Sequence, residues 1–282
     1  MDSYQCRICT SEEYKHYCEK YDSSNRPNKS TSSFTYVQCC ICRTISLYPL
    51  PDHDILKHAN ENLYGLDIPD SSFSLHFKSE YRETYFRELD LTLNDLNFRH
   101  NPGLLLDVGC GNGQFLDYMK SHGYETSGCD ISEQLTSLAD KNSHTIYCED
   151  FFTINYSPNS FEMISFIDTV EHVINPVDFI ARISLLLKKN GVLFLQTPCQ
   201  GILSEAYGDN WRRLIAPDHI HLFSFNTLVK MLNQNSLALM NFVRWGSGNS
   251  MGTMPETAKK ASDTIAKNLG IGDEISLLAI KI

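Results

Sequence analysis

Residues 104–113 read Leu-Leu-Leu-Asp-Val-Gly-Cys-Gly-Asn-Gly, and the rest of the chain is organised around this stretch. Three leucines before an acidic residue indicate a buried strand, the glycines at 109, 111 and 113 indicate a tight turn, and residues 114–119 begin a helix. Glycine adopts dihedrals that other residues resist, so the backbone can pass close to a ligand. The first N–H groups of the helix are then available to that ligand.

The spacing of these glycines is G-x-G-x-G, with Asp107 two residues before Gly109. Dinucleotide-binding turns have the spacing G-x-G-x-x-G, and phosphate-binding loops continue into Gly-Lys-Ser/Thr. A carboxylate at this position would repel a pyrophosphate, whereas it suits a ligand that carries an ammonium or sulfonium charge. A glycine turn without any ligand, as in other α/β proteins, is the alternative interpretation.

Three strand ends carry residues of one known family, in order along the chain. Asp107–Gly113 resembles the first motif of the class I S-adenosylmethionine (SAM) dependent methyltransferases. Residues 124–130 read as a second strand that ends in Asp130, an acid placed to accept hydrogen bonds from a ribose diol. Residues 147–151 resemble the third strand end of this family, where an acid and an aromatic residue hold the adenine.

The resemblance covers residues 102–245 and has consequences for fold and cofactor. The pattern contains seven strands, and the resemblance implies a doubly wound, Rossmann-like α/β sheet whose last strand is antiparallel. It also implies SAM as the cofactor. The predicted cofactor-binding residues are Asp107, Gly109, Gly111, Gly113, Asp130, Ile131, Asp150, Phe151 and Asp168.

Composition narrows the class of substrate and the compartment. The chain has 24 Lys and Arg against 34 Asp and Glu, a formal charge of −10 and a pI of about 5.4. Proteins that bind nucleic acid usually carry a clustered basic patch, so this charge argues against a polyanion as the main partner. No apolar run reaches the roughly 18 residues of a membrane span, and the N-terminus lacks a signal-peptide pattern. We therefore expect a cytoplasmic protein, in which cysteines are thiols or metal ligands.

Residues 1–50 hold two Cys-x-x-Cys pairs, formed by Cys6 with Cys9 and by Cys39 with Cys42. Each pair presents two thiolates to one tetrahedral ion, so we predict a zinc-ribbon domain with a structural Zn²⁺. Plain thiols and a redox pair are the alternatives. Methyltransferases that resemble this chain and carry such a ribbon often act on sugars or small metabolites, with the ribbon helping to cover the substrate.

Two further units follow the predicted ribbon. Residues 51–101 form a helical linker or cap, whose apolar positions recur at helical spacing. This helix either packs on the sheet or places Tyr81 or Tyr85 over the cofactor. Residues 102–282 form the SAM-binding domain, and within it residues 199–223 form a lid-like insert, because long loops in compact domains usually bind or cover ligands.

Methyl transfer from a sulfonium is an in-line displacement, in which the protein mainly aligns the reactants and excludes water. A hydroxyl acceptor must also lose a proton, and histidine is the usual base near neutral pH. The candidates are His219, then His172 and His221, each with a structural role as its alternative. His219 and His221 also alternate like two metal ligands, although the sequence shows no third ligand of suitable spacing nearby.

The predicted function is SAM-dependent methylation, most simply O-methylation, of a small metabolite or sugar. Residues 168–173 support it, because they resemble the strand-four motif of small-molecule methyltransferases. One alternative is an RNA methyltransferase that grips nucleic acid with the ribbon, and this would require a basic stripe. The other is a non-catalytic module of the same fold whose ribbon docks a protein partner.

Overall fold

The computed structural model describes residues 3–22, 33–52, 55–56, 82–139, 143–248 and 255–282. The strands are β1 (Tyr14–Tyr21), β2 (Ser33–Cys39), β3 (Ile45–Leu47), β4 (Leu104–Val108), β5 (Glu125–Cys129), β6 (Thr145–Tyr147), β7 (Phe161–Ile167), β8 (Leu187–Gln200), β9 (His221–Ser224), β10 (Leu237–Trp245) and β11 (Glu274–Lys281). The helices are α1 (Arg82–Asp95), α2 (Gln114–Ser121), α3 (Glu133–Leu138), α4 (Pro176–Leu186), α5 (Ile202–Tyr207), α6 (Phe225–Gln234) and α7 (Glu256–Asn268). Tyr81, predicted as one possible cover for the cofactor, lies outside the described residues.

The predicted seven-stranded sheet is present in the order β6-β5-β4-β7-β8-β11-β10. Its first five strands are parallel, and β11, the last strand in the sequence, runs antiparallel to both β8 and β10. The strand order reverses at β4, because β4 has β5 on one side and β7 on the other. In open α/β sheets, ligands bind at the carboxyl ends of the strands beside such a reversal.

Both faces of the sheet are covered, which explains why β4 reads as a continuous apolar run. Successive side chains of a strand point to opposite faces. Leu106 accordingly packs in one apolar cluster with Phe179 of α4, and Leu105 packs in another with Leu116 of α2. Burial on both faces therefore fixes β4, and with it the position of the glycine turn.

The N-terminal strands extend the sheet rather than standing apart from it. Strands β1, β2 and β3 pair antiparallel in sequence order, and β3 then pairs with β9 through Ile45 opposite Leu222. Strand β9 in turn pairs parallel with the last two residues of β8. The predicted lid-like insert contains α5 and the buried Trp211, which packs against Tyr36 of β2. The boundaries 1–50, 51–101 and 102–282 stay a prediction.

Candidate active site

The glycine turn after β4 requires glycine for steric reasons. Gly109, Gly111 and Gly113 have φ values of 77°, 52° and 80°, in the left-handed region that other residues rarely adopt. A Cβ atom on Gly109 would lie only 2.4 Å from Oγ1 of Thr169, which follows β7 by two residues. The N–H of Gly109 donates to the carbonyl oxygen of Cys129 at 2.8 Å. The turn therefore packs tightly against the ends of both strands that neighbour β4.

Asp130 ties this turn to the end of β5. Its Oδ2 accepts a hydrogen bond from the N–H of Gly111 at 2.9 Å, and its Oδ1 accepts one from the N–H of Ser132 at 2.8 Å. Burial raises the pKa of Asp130, while these backbone donors and the charge of His172 oppose the rise. A carboxylate can accept about four hydrogen bonds, so it retains lone pairs for a ligand hydroxyl.

Asp107 is the buried acid of β4, two residues before the first glycine of the turn. Ser165 of β7 donates its hydroxyl to Asp107 Oδ1 at 2.7 Å, and burial raises the pKa of Asp107 to about 7. Asp168, at the end of β7, has a φ of 49° and donates its N–H to the carbonyl oxygen of Gln196 at 2.9 Å. Burial raises the pKa of Tyr85 on α1, and the charges of Asp107 and Asp168 add to this rise. Tyr85 therefore lies close enough to both acids to sense their charge.

The two phenylalanines after Asp150 differ in exposure to solvent. The Phe151 ring is buried against Phe179 with a centroid distance of 5.3 Å, and the guanidinium of Arg182 lies 5.0 Å from its centre. Phe152 is 44% exposed, and its N–H donates to Asp150 Oδ1 at 2.8 Å. The predicted adenine contact at Phe151 thus has its ring in the core, and the exposed aromatic residue beside Asp150 is Phe152. Ile131, after β5, is 52% exposed.

A short 3-10 turn after β7 carries Glu171, an acid that the sequence analysis did not assign to the site. Glu171 is fully buried, and its Oε2 accepts a hydrogen bond from Oγ1 of Thr197 on β8 at 2.9 Å. Its other oxygen, Oε1, has no hydrogen-bond partner among the described residues. Burial raises the pKa of Glu171 to about 7, against the influence of His172.

His172 follows Glu171 on the same turn and contacts Asp218. Its Nδ1 lies 2.9 Å from the carbonyl oxygen of Asp218 and 3.2 Å from Oδ1 of the same residue. A carbonyl oxygen only accepts, so Nδ1 carries a proton. Burial disfavours the charged imidazolium, but the carboxylates of Asp218 and Glu171 outweigh burial and raise the pKa of His172 to about 10.

His219 packs edge-on against His172, with ring centroids 5.0 Å apart. Its Nδ1 donates to the carbonyl oxygen of Arg213 at 2.8 Å, which leaves the lone pair of the neutral ring on Nε2. Burial, reinforced by the charge of His172, lowers the pKa of His219 to about 3. The structure thus brings two of the three predicted histidines together, with Glu171 and Asp218 beside them.

His221 lies in β9, and both of its ring nitrogens have partners. Nδ1 is 2.9 Å from Oγ of Ser46 on β3, and Nε2 is 3.2 Å from the carbonyl oxygen of Ile174. Burial lowers the pKa of His221 to about 4. A ring whose nitrogens are both engaged has no lone pair for an acceptor hydroxyl, so this geometry favours the structural alternative for His221.

A family model for the methyltransferase domain matches residues 79–240, which is more than half of the chain. The chain belongs to this family. The family is that of the SAM-dependent class I methyltransferases, and the glycine turn, Asp107 and Asp130 lie at the carboxyl ends of β4 and β5, the edge at which open α/β sheets bind ligands.

The curated relatives that the chain matches are similar over only part of their length. A ubiquinone biosynthesis O-methyltransferase from Coxiella burnetii is 30% identical over 99 residues, which cover 33% of this chain and 42% of that protein. The chain thus spans about two-fifths of the length of the curated relative it matches.

Solved structures show the same fold. A SAM-dependent methyltransferase from Archaeoglobus fulgidus has a TM-score of 0.54 at 17% identity, covering 75% of this chain and all of that one. Geranyl diphosphate C-methyltransferase from Streptomyces coelicolor, solved with S-adenosyl-L-homocysteine, has a TM-score of 0.57 at 15% identity, covering 81% and 97%. Among the described residues of this methyltransferase, none of the helices has the length and apolar character that a membrane crossing requires.

The methyltransferase also brings its four predicted metal-binding cysteines together. The Sγ atoms of Cys6 and Cys42 are 3.5 Å apart, those of Cys9 and Cys39 are 3.6 Å apart, and all four lie within 4.8 Å of one another. A tetrahedral zinc ion with Zn–S bonds of about 2.3 Å separates its sulfur ligands by roughly 3.8 Å. The four thiols therefore have the chemistry and the spacing of a structural zinc site.

Proposed function

We propose that this methyltransferase transfers the methyl group of SAM to an oxygen atom of a small molecule. The position of two histidines carries the proposal. His172 follows the end of β7 and packs against His219, and Thr169 at the same strand end lies against Gly109 of the glycine turn. Methyl donor and proton acceptor would then meet at one edge of the sheet. The O-methyltransferase name of the Coxiella burnetii relative is consistent with this reading.

The cofactor would lie across the ends of β4, β5 and β6. Asp107 and the glycine turn would receive the methionine part of SAM, because a buried carboxylate suits its ammonium group. Asp130 would accept hydrogen bonds from the ribose hydroxyls through its remaining lone pairs. Ile131 and Asp150 would contact the adenine, with the exposed ring of Phe152 in place of the buried ring of Phe151. Asp168 would border the methyl group.

His219 is the first candidate for the proton acceptor and His172 the second. The hydrogen bond from Nδ1 to Arg213 fixes the His219 tautomer, so Nε2 presents its lone pair to the acceptor. His172 would carry positive charge beside Asp218 at neutral pH. Of the three histidines predicted from the sequence, we now assign His221 a structural role, because β3 and Ile174 hold both of its nitrogens.

We also propose that Cys6, Cys9, Cys39 and Cys42 bind one structural Zn²⁺. Their spacing supports this, as does the polar character of residues 23–32 in the sequence, which offer little apolar surface for a core. A structural zinc ion contributes folding free energy outright. These thiolates would hold the N-terminal strands in the shape that lets β3 pair with β9.

Calorimetric titration with SAM and with its product, S-adenosylhomocysteine, tests the proposal first. We expect saturable micromolar binding of both, followed by methylation of hydroxylated small molecules in a screen with SAM labelled in its methyl group. Binding without turnover on small molecules, together with salt-dependent affinity for RNA, would favour the RNA methyltransferase. Binding of neither ligand would favour the non-catalytic module.

A further inference from the structure

The cluster formed by Glu171, His172 and His219 has the composition of a metal site. One ligand atom from each of the three side chains lies within 4.8 Å of the other two. We propose that this cluster binds one divalent metal ion, in addition to the zinc proposed for the four cysteines. The inference rests on the proposed function only for the chemical role of the ion, because binding of the ion can be measured on its own.

The hydrogen bonds around the cluster orient the three ligands. In metal sites, a ligating histidine usually donates its other N–H to a carbonyl or carboxylate, which fixes the tautomer. His172 donates Nδ1–H to the carbonyl oxygen of Asp218, and His219 donates Nδ1–H to that of Arg213. The hydroxyl of Thr197 donates to Oε2 of Glu171 and so orients this carboxylate. Both Nε2 atoms and Oε1 of Glu171 are therefore left for the ion.

An unpartnered buried carboxylate oxygen points to what fills the cluster. Oε1 of Glu171 has no hydrogen-bond partner among the described residues, although the side chain is only 1% exposed. Leaving such a group unsatisfied costs about 1–3 kcal/mol or more. Nε2 of His172 is 4.0 Å from this oxygen, too far for a hydrogen bond. Around a tetrahedral ion with bonds of about 2.0–2.2 Å, two ligand atoms lie roughly 3.3–3.6 Å apart, so a bound ion would draw these two atoms together by about half an ångström.

The charges around the cluster suit a cation. The carboxylate of Asp218 lies beside both histidines, with neither of its oxygens hydrogen-bonded within the part of the chain that the structure describes. The nearest guanidinium, that of Arg213, forms an ion pair with Glu274. A bound cation would therefore offset buried negative charge on Glu171 and Asp218, towards which protonated His172 and the guanidinium of Arg213 otherwise contribute positive charge.

The ligand set narrows the choice of metal. Two imidazoles and one carboxylate suit Zn²⁺, Fe²⁺ or Co²⁺, whereas Mg²⁺ and Ca²⁺ prefer oxygen ligands. Three protein ligands leave a coordination position open, as in catalytic zinc sites. The His172 side chain is 14% exposed, so one edge of the cluster reaches the protein surface.

The ion would make the acceptor hydroxyl acidic. A bound metal lowers the pKa of water from 15.7 to about 7, and a hydroxyl group responds in the same sense. The hydroxyl proton passes to water, and an oxygen lone pair forms a bond to the methyl carbon of SAM. The carbon–sulfur bond breaks, its electron pair stays on sulfur, and S-adenosylhomocysteine leaves. With the ion bound, Nε2 of His219 is a metal ligand, so the ion takes over the role that the proposed function gives to this histidine as proton acceptor.

A cobalt titration tests the site independently of turnover. The whole protein is loaded with one Zn²⁺ at the cysteines, stripped of weaker ions, and titrated with Co²⁺. We expect one Co²⁺ per chain, with visible absorption bands but without the near-ultraviolet thiolate band that Co²⁺ at the cysteines would give. Glu171→Gln and His219→Gln should each weaken this binding by at least about 100-fold, and Thr197→Val by about 10–100-fold.

The controls separate this inference from the proposed function. His16→Gln changes an exposed histidine on β1 and should leave Co²⁺ affinity as in the parent protein. Thr197→Val keeps all three ligands, so it remains informative if a ligand variant fails to fold. Zinc-loaded protein that binds S-adenosylhomocysteine but takes up no further Co²⁺ overturns the inference, as does unchanged affinity in Glu171→Gln and His219→Gln. Co²⁺ uptake without S-adenosylhomocysteine binding would reject the proposed function alone.

Discussion

Replacing Asp130 by asparagine separates two roles of one carboxylate. In the parent protein its two oxygens accept backbone hydrogen bonds, one from Gly111 and one from Ser132. Asparagine has one acceptor oxygen, so one of these N–H groups would face an NH₂ group instead. Leaving a buried donor unpaired costs about 1–3 kcal/mol of unfolding free energy. For a chain of this size, each kcal/mol lowers Tm by about 2–4 °C.

The second role is the proposed contact with the ribose. A hydrogen bond to a charged group contributes about 1.5–3 kcal/mol, which corresponds to a loss of affinity of roughly 10–150-fold. A weaker Kd of the Asp130→Asn variant alone would not identify the contact, because a distorted glycine turn also weakens binding. The comparison therefore has to include a ligand that lacks the ribose hydroxyl.

A double cycle of protein and ligand variants isolates the contact. S-adenosylhomocysteine and its 2′-deoxy and 3′-deoxy analogues are titrated by calorimetry into the parent protein and into Asp130→Asn. Removing a hydroxyl should cost the parent protein at least about 10-fold in Kd and the variant much less, a coupling of about 1 kcal/mol or more. Asp150→Asn, on the proposed adenine side, should keep the parental ratio. The ribose contact would be refuted if removing either hydroxyl raised Kd by the same factor in the parent protein and in Asp130→Asn.

Three further changes test the turn, the buried acid and the cysteines. Gly109→Ala should cost about 1–3 kcal/mol by thermal unfolding, because its Cβ would meet Thr169, and Thr169→Ala in the same chain should recover part of this loss. The pKa of Asp107 is raised to about 7, so the folded protein holds this proton more tightly than the unfolded chain does, and the resulting contribution to the unfolding free energy should be lost as pH rises from about 4 to 7, while SAM affinity should increase towards pH 7. Asp107→Asn should make the stability slope shallower, with Glu171 keeping its own share, and should flatten the pH dependence of SAM affinity; slopes equal to the parental ones would contradict the assignment. Cys39→Ser should release zinc in metal analysis, whereas Cys40→Ser, an exposed neighbour, should retain it; equal zinc in both would contradict the four-cysteine site.

The parts of the fold that could be predicted from the sequence are those encoded locally. The strand, glycine turn and helix at residues 104–121 are fixed by adjacent apolar residues and by backbone conformations that favour glycine. Serine directly before a helix is a common N-cap, and the hydroxyl of Ser132 accepts the N–H of Leu135 at the start of α3. The grouping of the four cysteines could also be predicted, because the short Cys-x-x-Cys spacing itself brings two thiolates to one ion.

The rest depends on contacts between residues distant in sequence. Asp218 is 46 positions from His172 and borders it only because the insert returns to the end of β7. The burial of the Phe151 ring could not be predicted either, because two successive aromatic residues do not indicate which ring packs against α4. The pairing of β3 with β9 is a contact between short strands far apart in the sequence, and no local pattern specifies it.

The N-terminal strands are connected to the histidine cluster by direct contacts, so we expect loss of the proposed zinc ion to disturb that cluster without any contact between zinc and substrate. The hydroxyl of Tyr36 on β2 donates to the carbonyl oxygen of His219 at 2.7 Å. Thr227 of α6 donates to the carbonyl oxygen of Cys42 at 2.7 Å, and β9, which begins at His221, pairs with β3. Displacing the cysteine-bearing strands would therefore move the backbone on which His219 is carried. Since a ligand or base must be held to within a fraction of an ångström, the integrity of the four-cysteine site and the geometry of the histidine cluster are physically coupled.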